Sequence, residues 1–297
     1  MTENQKGVFT ALMSNILFGA LYLYGYAMAP LSGTETFAWR MVSMAGALWL
    51  FLFATHGWYQ LFRFAYSVGK AWKTWALILL PTPIIASQFW LFMWAPVNGY
   101  GVDVAMGYFL FPIAMVLSGR VFLQENVTRL QWIGVLLAAL GVAHELWQTH
   151  AFSWVTMWIF FTYPIYYILR RKMGVPTLIG LLIDLTLILP FALVYLQQQP
   201  VGFSVLAGLN KYWLLIPLLG LMSAAAMQLN LYASCTLPVT LFGMFSYLEP
   251  TLLFILAVTV LDSPLTLQSL ITYGFIWAGL GLTIIDGWLK VKRAKMA

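Results

Sequence analysis

Apolar residues run through this chain in long blocks, without the alternation of a half-buried strand or the single stripe of a surface helix. A helix needs about 20 mostly apolar residues to cross a hydrocarbon core of roughly 30 Å. Ten stretches suit that length, near 7–29, 36–54, 74–95, 102–123, 130–148, 153–170, 177–196, 212–232, 239–261 and 266–289. The pattern predicts an all-α polytopic membrane protein with ten transmembrane helices, and the lack of alternation excludes a β-barrel. The first stretch follows only MTENQK. Its length is that of a spanning helix, and a cleaved signal peptide has a shorter apolar core.

Composition agrees with a membrane solvent. Hydrophobic residues make up 62% and charged residues 8% of the chain, against about 25% charged in a soluble domain. One cysteine, Cys235, rules out an internal disulfide framework, and we expect it to be a small buried residue. His56, His144 and His150 are scattered, so neither a metal site nor a cofactor is expected. No Walker A or other nucleotide-cradling loop appears, which argues against a nucleotide as energy source.

The net charge of +6 is explained by its location and implies no nucleic-acid partner. With a cytoplasmic N-terminus, the inner segments hold Lys6, Arg63, Lys70, Lys73, Arg129, Arg170, Arg171, Lys172, Lys290, Lys292, Arg293 and Lys295. The outer loops hold Lys211 alone, while Arg40 and Arg120 lie within spans. The positive-inside rule then puts both termini in the cytoplasm, with the basic tail KVKRAKMA as a headgroup anchor. Trp58, Trp72, Trp75, Trp147, Trp154, Trp213 and Trp288 fall near span ends, as an interfacial aromatic belt does.

The chain also repeats itself. A shift of 138 residues sets Trp94 on Tyr232, Ala95 on Ala233, Pro112 on Pro250, Leu123 on Leu261, Thr128 on Thr266 and Gly141 on Gly279. Residues 1–148 and 149–297 then each hold five spans, the second half carrying the basic cytoplasmic tail. Five is odd, so the halves enter the membrane from opposite sides, as an inverted-topology repeat. Inversion puts Arg40 toward the outer face and Asp184 toward the inner one, so the two are expected not to pair with each other. We read both as structural charges. Arg40 is expected to find Glu35, Glu145 or outer carbonyls, Asp184 to find Arg170 or Arg171, and Arg120 to snorkel to the interface.

One acid stands out. In GMFSYLEPTLLFILAV, Glu249 precedes Pro250 ten residues after Val239. In a continuous helix that is about 15 Å, the depth of the bilayer midplane. Pro112 has the same depth from the other side. Both prolines withdraw a donor four residues back, from the carbonyls of Tyr108 and Ser246. Two broken helices meeting at the midplane point to a transport site. Asn15 and Tyr22, Gln88, Trp94, Tyr108, Tyr163, Gln228, Tyr232 and Tyr247 supply amide, phenol and indole groups at depth from several spans. With Glu249 they form the candidate substrate site, and Pro112 and Pro250 the candidate hinges. Taken singly, such residues also serve as interhelical glue.

At these positions the chain resembles a known family. Gly107–Phe109 with Pro112, RLQWIGVLLAALGV (Arg129–Val142), PTLLFILAV (Pro250–Val258) and TYGFIWAGL (Thr272–Leu280) resemble the EamA branch of the drug/metabolite transporter superfamily. Among its subgroups the RarD, or chloramphenicol-sensitive, proteins are most similar. The resemblance implies a bacterial inner-membrane protein with two inverted five-helix halves that exports metabolites or drugs.

The residues and the resemblance together predict a secondary transporter working by alternating access on a small-molecule solute. The wall chemistry suits an amphipathic or aromatic-bearing solute such as an amino acid. Glu249, desolvated at depth, is expected to exchange a proton with the solute. The partners are therefore a solute, the lipid bilayer and protons. The rival reading is a membrane scaffold or receptor that moves no solute. An intramembrane enzyme is disfavoured, because no paired acids or His/Cys/Asp cluster lie at depth.

Overall fold

A computed structural model of the chain describes residues 3–150, 153–208, 210–259 and 267–296. Thirteen α-helices occupy the described residues: α1 (Glu3–Ala27), α2 (Gly33–Ala54), α3 (Trp58–Val68), α4 (Trp72–Leu79), α5 (Pro81–Trp94), α6 (Gly101–Phe122), α7 (Arg129–Thr149), α8 (Trp154–Met173), α9 (Thr177–Gln198), α10 (Tyr212–Thr236), α11 (Val239–Phe245), α12 (Leu248–Thr259) and α13 (Leu267–Met296). Each of the ten expected stretches is largely helical over its described residues, with the third and the ninth interrupted by turns at Leu80 and at Ser246–Tyr247. Six helical segments among these residues are long and apolar enough to cross a membrane: α2, α4 with α5, α6, α7, α9 and α10. The side chains of Trp288 and of the basic tail (Lys290, Lys292, Arg293 and Lys295), and the matched residues Leu261 and Thr266, lie outside what is described.

Local chemistry explains the helix ends. Ser32 caps α2: its Oγ accepts from Glu35 N at 3.2 Å, and Glu35 Oε2 accepts from Ser32 N at 2.9 Å. Thr128 and Gln131 build the same reciprocal box at the start of α7. These boxes satisfy orphan donors at the two helix starts. Pro81 divides the third stretch into α4 and α5, since it has no N–H to continue the ladder.

The chain forms two compact units. The first comprises Met1–Asn15, Val102–Pro164 and Ala233–Ala297; the second comprises Ile16–Gly101 and Ile165–Tyr232. The expected halves, 1–148 and 149–297, each contribute to both. Helices α1, α8 and α10 pass from one unit to the other, after Asn15, Pro164 and Tyr232, and α6 does so after its first residue, Gly101.

In the first unit, α7 packs against α13. A Cβ on Gly134 would lie 2.7 Å from the Gly279 carbonyl oxygen, and one on Gly141 would lie 2.7 Å from that of Thr272. As the number rises along α7 it falls along α13, so the two helices run antiparallel, with backbones touching through small residues. Around them lies a core of Met106, Phe109, Val116, Val135, Ala138, Val142, Met244, Tyr247 and Ile276.

In the second unit, α2 packs on α9 and α5. Asp184 of α9 is fully buried and forms an ion pair with Arg170 of α8. Its carboxylate also accepts from Thr82 Oγ1 at 2.6 Å and from Tyr166 OH at 3.2 Å. Arg170 donates in addition to the carbonyls of Ile78 and Gly180. A buried charge is tolerable only when paired and hydrogen-bonded in this way.

Four expectations need correction. Arg40 does not turn to Glu35, whose carboxylate serves the α2 cap, or to Glu145, which accepts from Thr272 Oγ1 at 2.8 Å. Instead its Nε donates to Ser223 Oγ at 2.9 Å, and its guanidinium lies about 5 Å over Phe89 and Phe92. Cys235, in the last turn of α10, is exposed, while its neighbours Ala233 and Ser234 take the buried face. Helix α6 runs through Pro112 without a break. Finally, the connection after α2 contains an unforeseen helix, α3.

Candidate functional site

The ninth stretch is broken where the acid lies. Helix α11 ends at Phe245, Ser246 and Tyr247 form a turn, and α12 starts at Leu248. Glu249 and Pro250 thus occupy the first turn of α12. There a proline costs no intrahelical bond and a carboxylate meets the positive end of the helix dipole. Local bonds stabilise the turn. Ser246 N donates to the carbonyls of Phe242 and Gly243, both at 3.1 Å, and Tyr247 N to Met244 at 3.2 Å. Ser246 Oγ and Thr251 Oγ1 add bonds to Phe242 O and Tyr247 O.

Other elements of the first unit meet this turn. Asn15 of α1 donates to Ala11 O at 2.7 Å and Phe245 O at 3.4 Å. Gly243 lets α6 approach: a Cβ there would lie 3.1 Å from the Pro112 carbonyl oxygen and 2.8 Å from Met115 Cβ. The two proline-bearing helices therefore do meet, one broken and one continuous. On α6, Tyr108 stands edge-on to Tyr163 of α8 with ring centres 6.4 Å apart, and Phe111 lies 5.0 Å from the same ring. Tyr247 is completely buried, and its hydroxyl has no hydrogen-bond partner among the described residues. A buried hydroxyl in that state is costly, so it marks a place where a polar visitor is favoured.

The remaining candidates belong to the second unit. Tyr22 packs edge-on to Phe92, and Gln88 is buried. Trp94 stacks with Trp90 at 4.7 Å and with Tyr100 at 5.5 Å. Gln228 Nε2 donates to Thr177 Oγ1 at 2.9 Å, while its Oε1 is buried without a partner among the described residues. Tyr232 is half-buried. This unit also holds a groove of about 560 Å³ between α2, α5 and α9. Thr34, Phe37, Ser87, Trp90, Phe191 and Tyr195 are on its wall, and none of the ten candidate substrate residues lines it. Phe191 and Leu187 on its rim are exposed, as hydrocarbon-facing residues are. No group of three or more metal-ligating side chains occurs among the described residues.

Comparison with known proteins follows the same lines. Residues 5–144 match the EamA-like transporter family. An uncharacterized transporter of Haemophilus influenzae is 44% identical over 98% of this chain and 97% of its own length. A chloramphenicol-sensitive protein RarD of Pseudomonas aeruginosa is 39% identical over 97% of this chain and 95% of its own. The chain belongs to the EamA family, in its RarD-like subgroup. It is a multi-pass membrane transporter of the drug/metabolite superfamily. One solved crystal structure shares the fold, with a TM-score of 0.68 at 15% identity over 95% of this chain and 97% of that one.

Sequence reasoning missed one residue at the broken helix of this EamA-family transporter. Helix α11 starts after Pro238, which provides no side-chain cap. Glu125, in the loop after α6, supplies one: its carboxylate accepts from Val239 N at 2.7 Å, Thr240 N at 2.9 Å and Thr240 Oγ1 at 2.9 Å. An uncapped helix start and a loop acid are both legible in sequence. Their pairing across 114 residues is not.

Proposed function

We propose that this transporter is a secondary-active exporter of small metabolites or drugs, with an amphipathic or aromatic-bearing solute such as an amino acid. It works by alternating access in the bacterial inner membrane, with both termini cytoplasmic. It is built as two inverted five-helix repeats, 1–148 and 149–297. Packing of α7 against α13 supports the inversion. Under the 138-residue shift, Gly134 corresponds to Thr272 and Gly141 to Gly279. The contacts Gly134–Gly279 and Gly141–Thr272 are therefore the same contact with the halves exchanged. Equivalent helices running antiparallel imply a pseudo-two-fold axis across the helices, which is the membrane plane for spanning segments.

The break at Ser246–Tyr247 carries the functional reading. It interrupts the helix just before an acid, Glu249, and holds a buried phenol, that of Tyr247, without a partner among the described residues. Irregular backbone at membrane depth is stable where protein, water or solute satisfies it. The proposed substrate residues are Asn15, Tyr22, Gln88, Trp94, Tyr108, Tyr163, Gln228, Tyr232, Tyr247 and Glu249. Pro112 and Pro250 serve as hinges, and Arg40 and Asp184 as structural charges.

Glu249 couples transport to protons by holding one in part of the cycle. Glu249→Gln in proteoliposomes tests this, since it keeps shape and hydrogen bonding but cannot titrate. The variant should exchange solute down its own gradient and lose acceleration by a pH gradient. An unchanged pH dependence makes Glu249 structural, and no flux of any solute by the wild type favours a scaffold or receptor.

A further inference from the structure

The unforeseen helix α3 has a surface that the transport reading does not use. At about 100° per residue, its positions fall into three sectors. Leu61, Phe64, Ala65 and Val68 form one, and all are half-buried. Gln60, Arg63 and Ser67 form a polar second sector. Trp58, Tyr59, Phe62 and Tyr66 form the third, and they are 43%, 68%, 64% and 90% exposed. Four large aromatic rings thus line an arc of about 100° on an eleven-residue helix with no fully buried residue.

The helix is held in a fixed place. Its start follows α2 through a tight turn in which Gly57 N donates to Leu52 O at 2.8 Å. Even fully extended, the step from Ala54 to Trp58 spans at most about 14 Å. Since α2 is long and apolar enough to cross a membrane, the start of α3, close to its end, belongs at the level of the headgroups. At its other end, Phe64 packs edge-on to Trp75 at 6.4 Å, and Trp75 Nε1 donates to Gly69 O at 2.9 Å. That clips α3 to α4 and fixes which face it turns outward.

Charge identifies the occupant of that face. No acidic residue occurs between Glu35 and Asp103, whereas Arg63, Lys70 and Lys73 lie on or just after α3. A cationic edge beside exposed aromatic rings is complementary to a layer of anionic lipid headgroups over acyl chains, and an amphipathic helix of this kind lies in the interface plane.

We propose that α3 is an interfacial helix. It inserts Trp58, Tyr59, Phe62 and Tyr66 among the lipids and recruits anionic phospholipid headgroups to Arg63, Lys70 and Lys73. The experiment uses the full chain with Cys235→Ser and a single environment-sensitive fluorophore on Tyr66→Cys or Ser67→Cys. The protein is reconstituted in phosphatidylcholine with or without phosphatidylglycerol. The label at 66 should lose most of its emission to shallow nitroxide lipids and resist aqueous iodide, and the label at 67 should show the reverse. Spin-labelled phosphatidylglycerol should quench position 66 more than spin-labelled phosphatidylcholine. That preference should vanish in high salt and in Arg63→Gln/Lys70→Gln/Lys73→Gln. A label at 66 open to iodide overturns the proposal. So does one shielded from both quenchers, which would mean protein covers the face, or a phosphatidylglycerol preference unaffected by the triple substitution.

Discussion

Gly134 and Gly279 meet backbone to backbone: a single added carbon on Gly134 would lie 2.7 Å from the Gly279 carbonyl oxygen. No rotamer relieves a clash at Cβ, so Gly134→Ala must push α7 and α13 apart. We expect a loss of about 1–3 kcal/mol. Gly281, with nothing within 4 Å of its would-be Cβ, is the control. Gly281→Ala should be neutral or slightly stabilising. Thermal unfolding in detergent compares the two, and equal melting temperatures would show that the close contact carries no energy.

Asp184 and Arg170 form a buried pair supported by Thr82 and Tyr166. Removing one partner strands the other charge, so Asp184→Ala should cost about 3–5 kcal/mol. Replacing both, Asp184→Leu with Arg170→Met, should recover much of that loss. The exchange Arg40→Asp with Asp184→Arg should rescue neither single variant, because Arg40 is bonded to Ser223 and two phenyl rings. Transport and expression of the double exchange at wild-type levels would show a direct pair.

Glu125 holds the start of α11 through three bonds. Glu125→Ala should destabilise by about 1–2 kcal/mol, the usual value of a helix cap. It should also slow transport, since α11 leads into the broken turn at Ser246. Glu125→Gln retains one acceptor oxygen and should lie between. Parallel melting and flux measurements on the three proteins order them, and an Ala variant with wild-type flux removes Glu125 from the mechanism.

The proposed topology, with both termini cytoplasmic, rests on the distribution of basic residues. With Cys235 replaced, which its exposure makes necessary, single cysteines at Lys73 and Lys172 should resist an impermeant thiol reagent outside whole cells. A cysteine at Lys211 should react. Its native Nζ is exposed and bonded to the carbonyls of Ala27 and Ala29. Outside labelling at Lys73 or Lys172 would reverse the orientation.

The sequence by itself determined the all-helical membrane class, the helical stretches and the family. The family rests on the resemblance of motifs such as RLQWIGVLLAALGV, whereas the class and the stretches rest on local quantities, length of apolar run and composition. The break at Ser246–Tyr247 was nearly legible for the same reason, because Pro250 cannot continue a ladder from above. The two prolines looked equivalent, however, and only the packed chain distinguished them. Pro112 lies inside a continuous helix whose backbone leans on Gly243, whereas Pro250 starts a new one. Partners at long range were decided by tertiary structure alone. A lone acid such as Glu125, or a buried Arg40, advertises that it needs a partner without naming it, and burial leaves many near-equal choices along the chain. Helix α3 was hidden for a further reason. It lies between two spans and is too short to be one, so in one dimension it reads as a connecting segment with basic residues, and its three sectors separate only once it is wound.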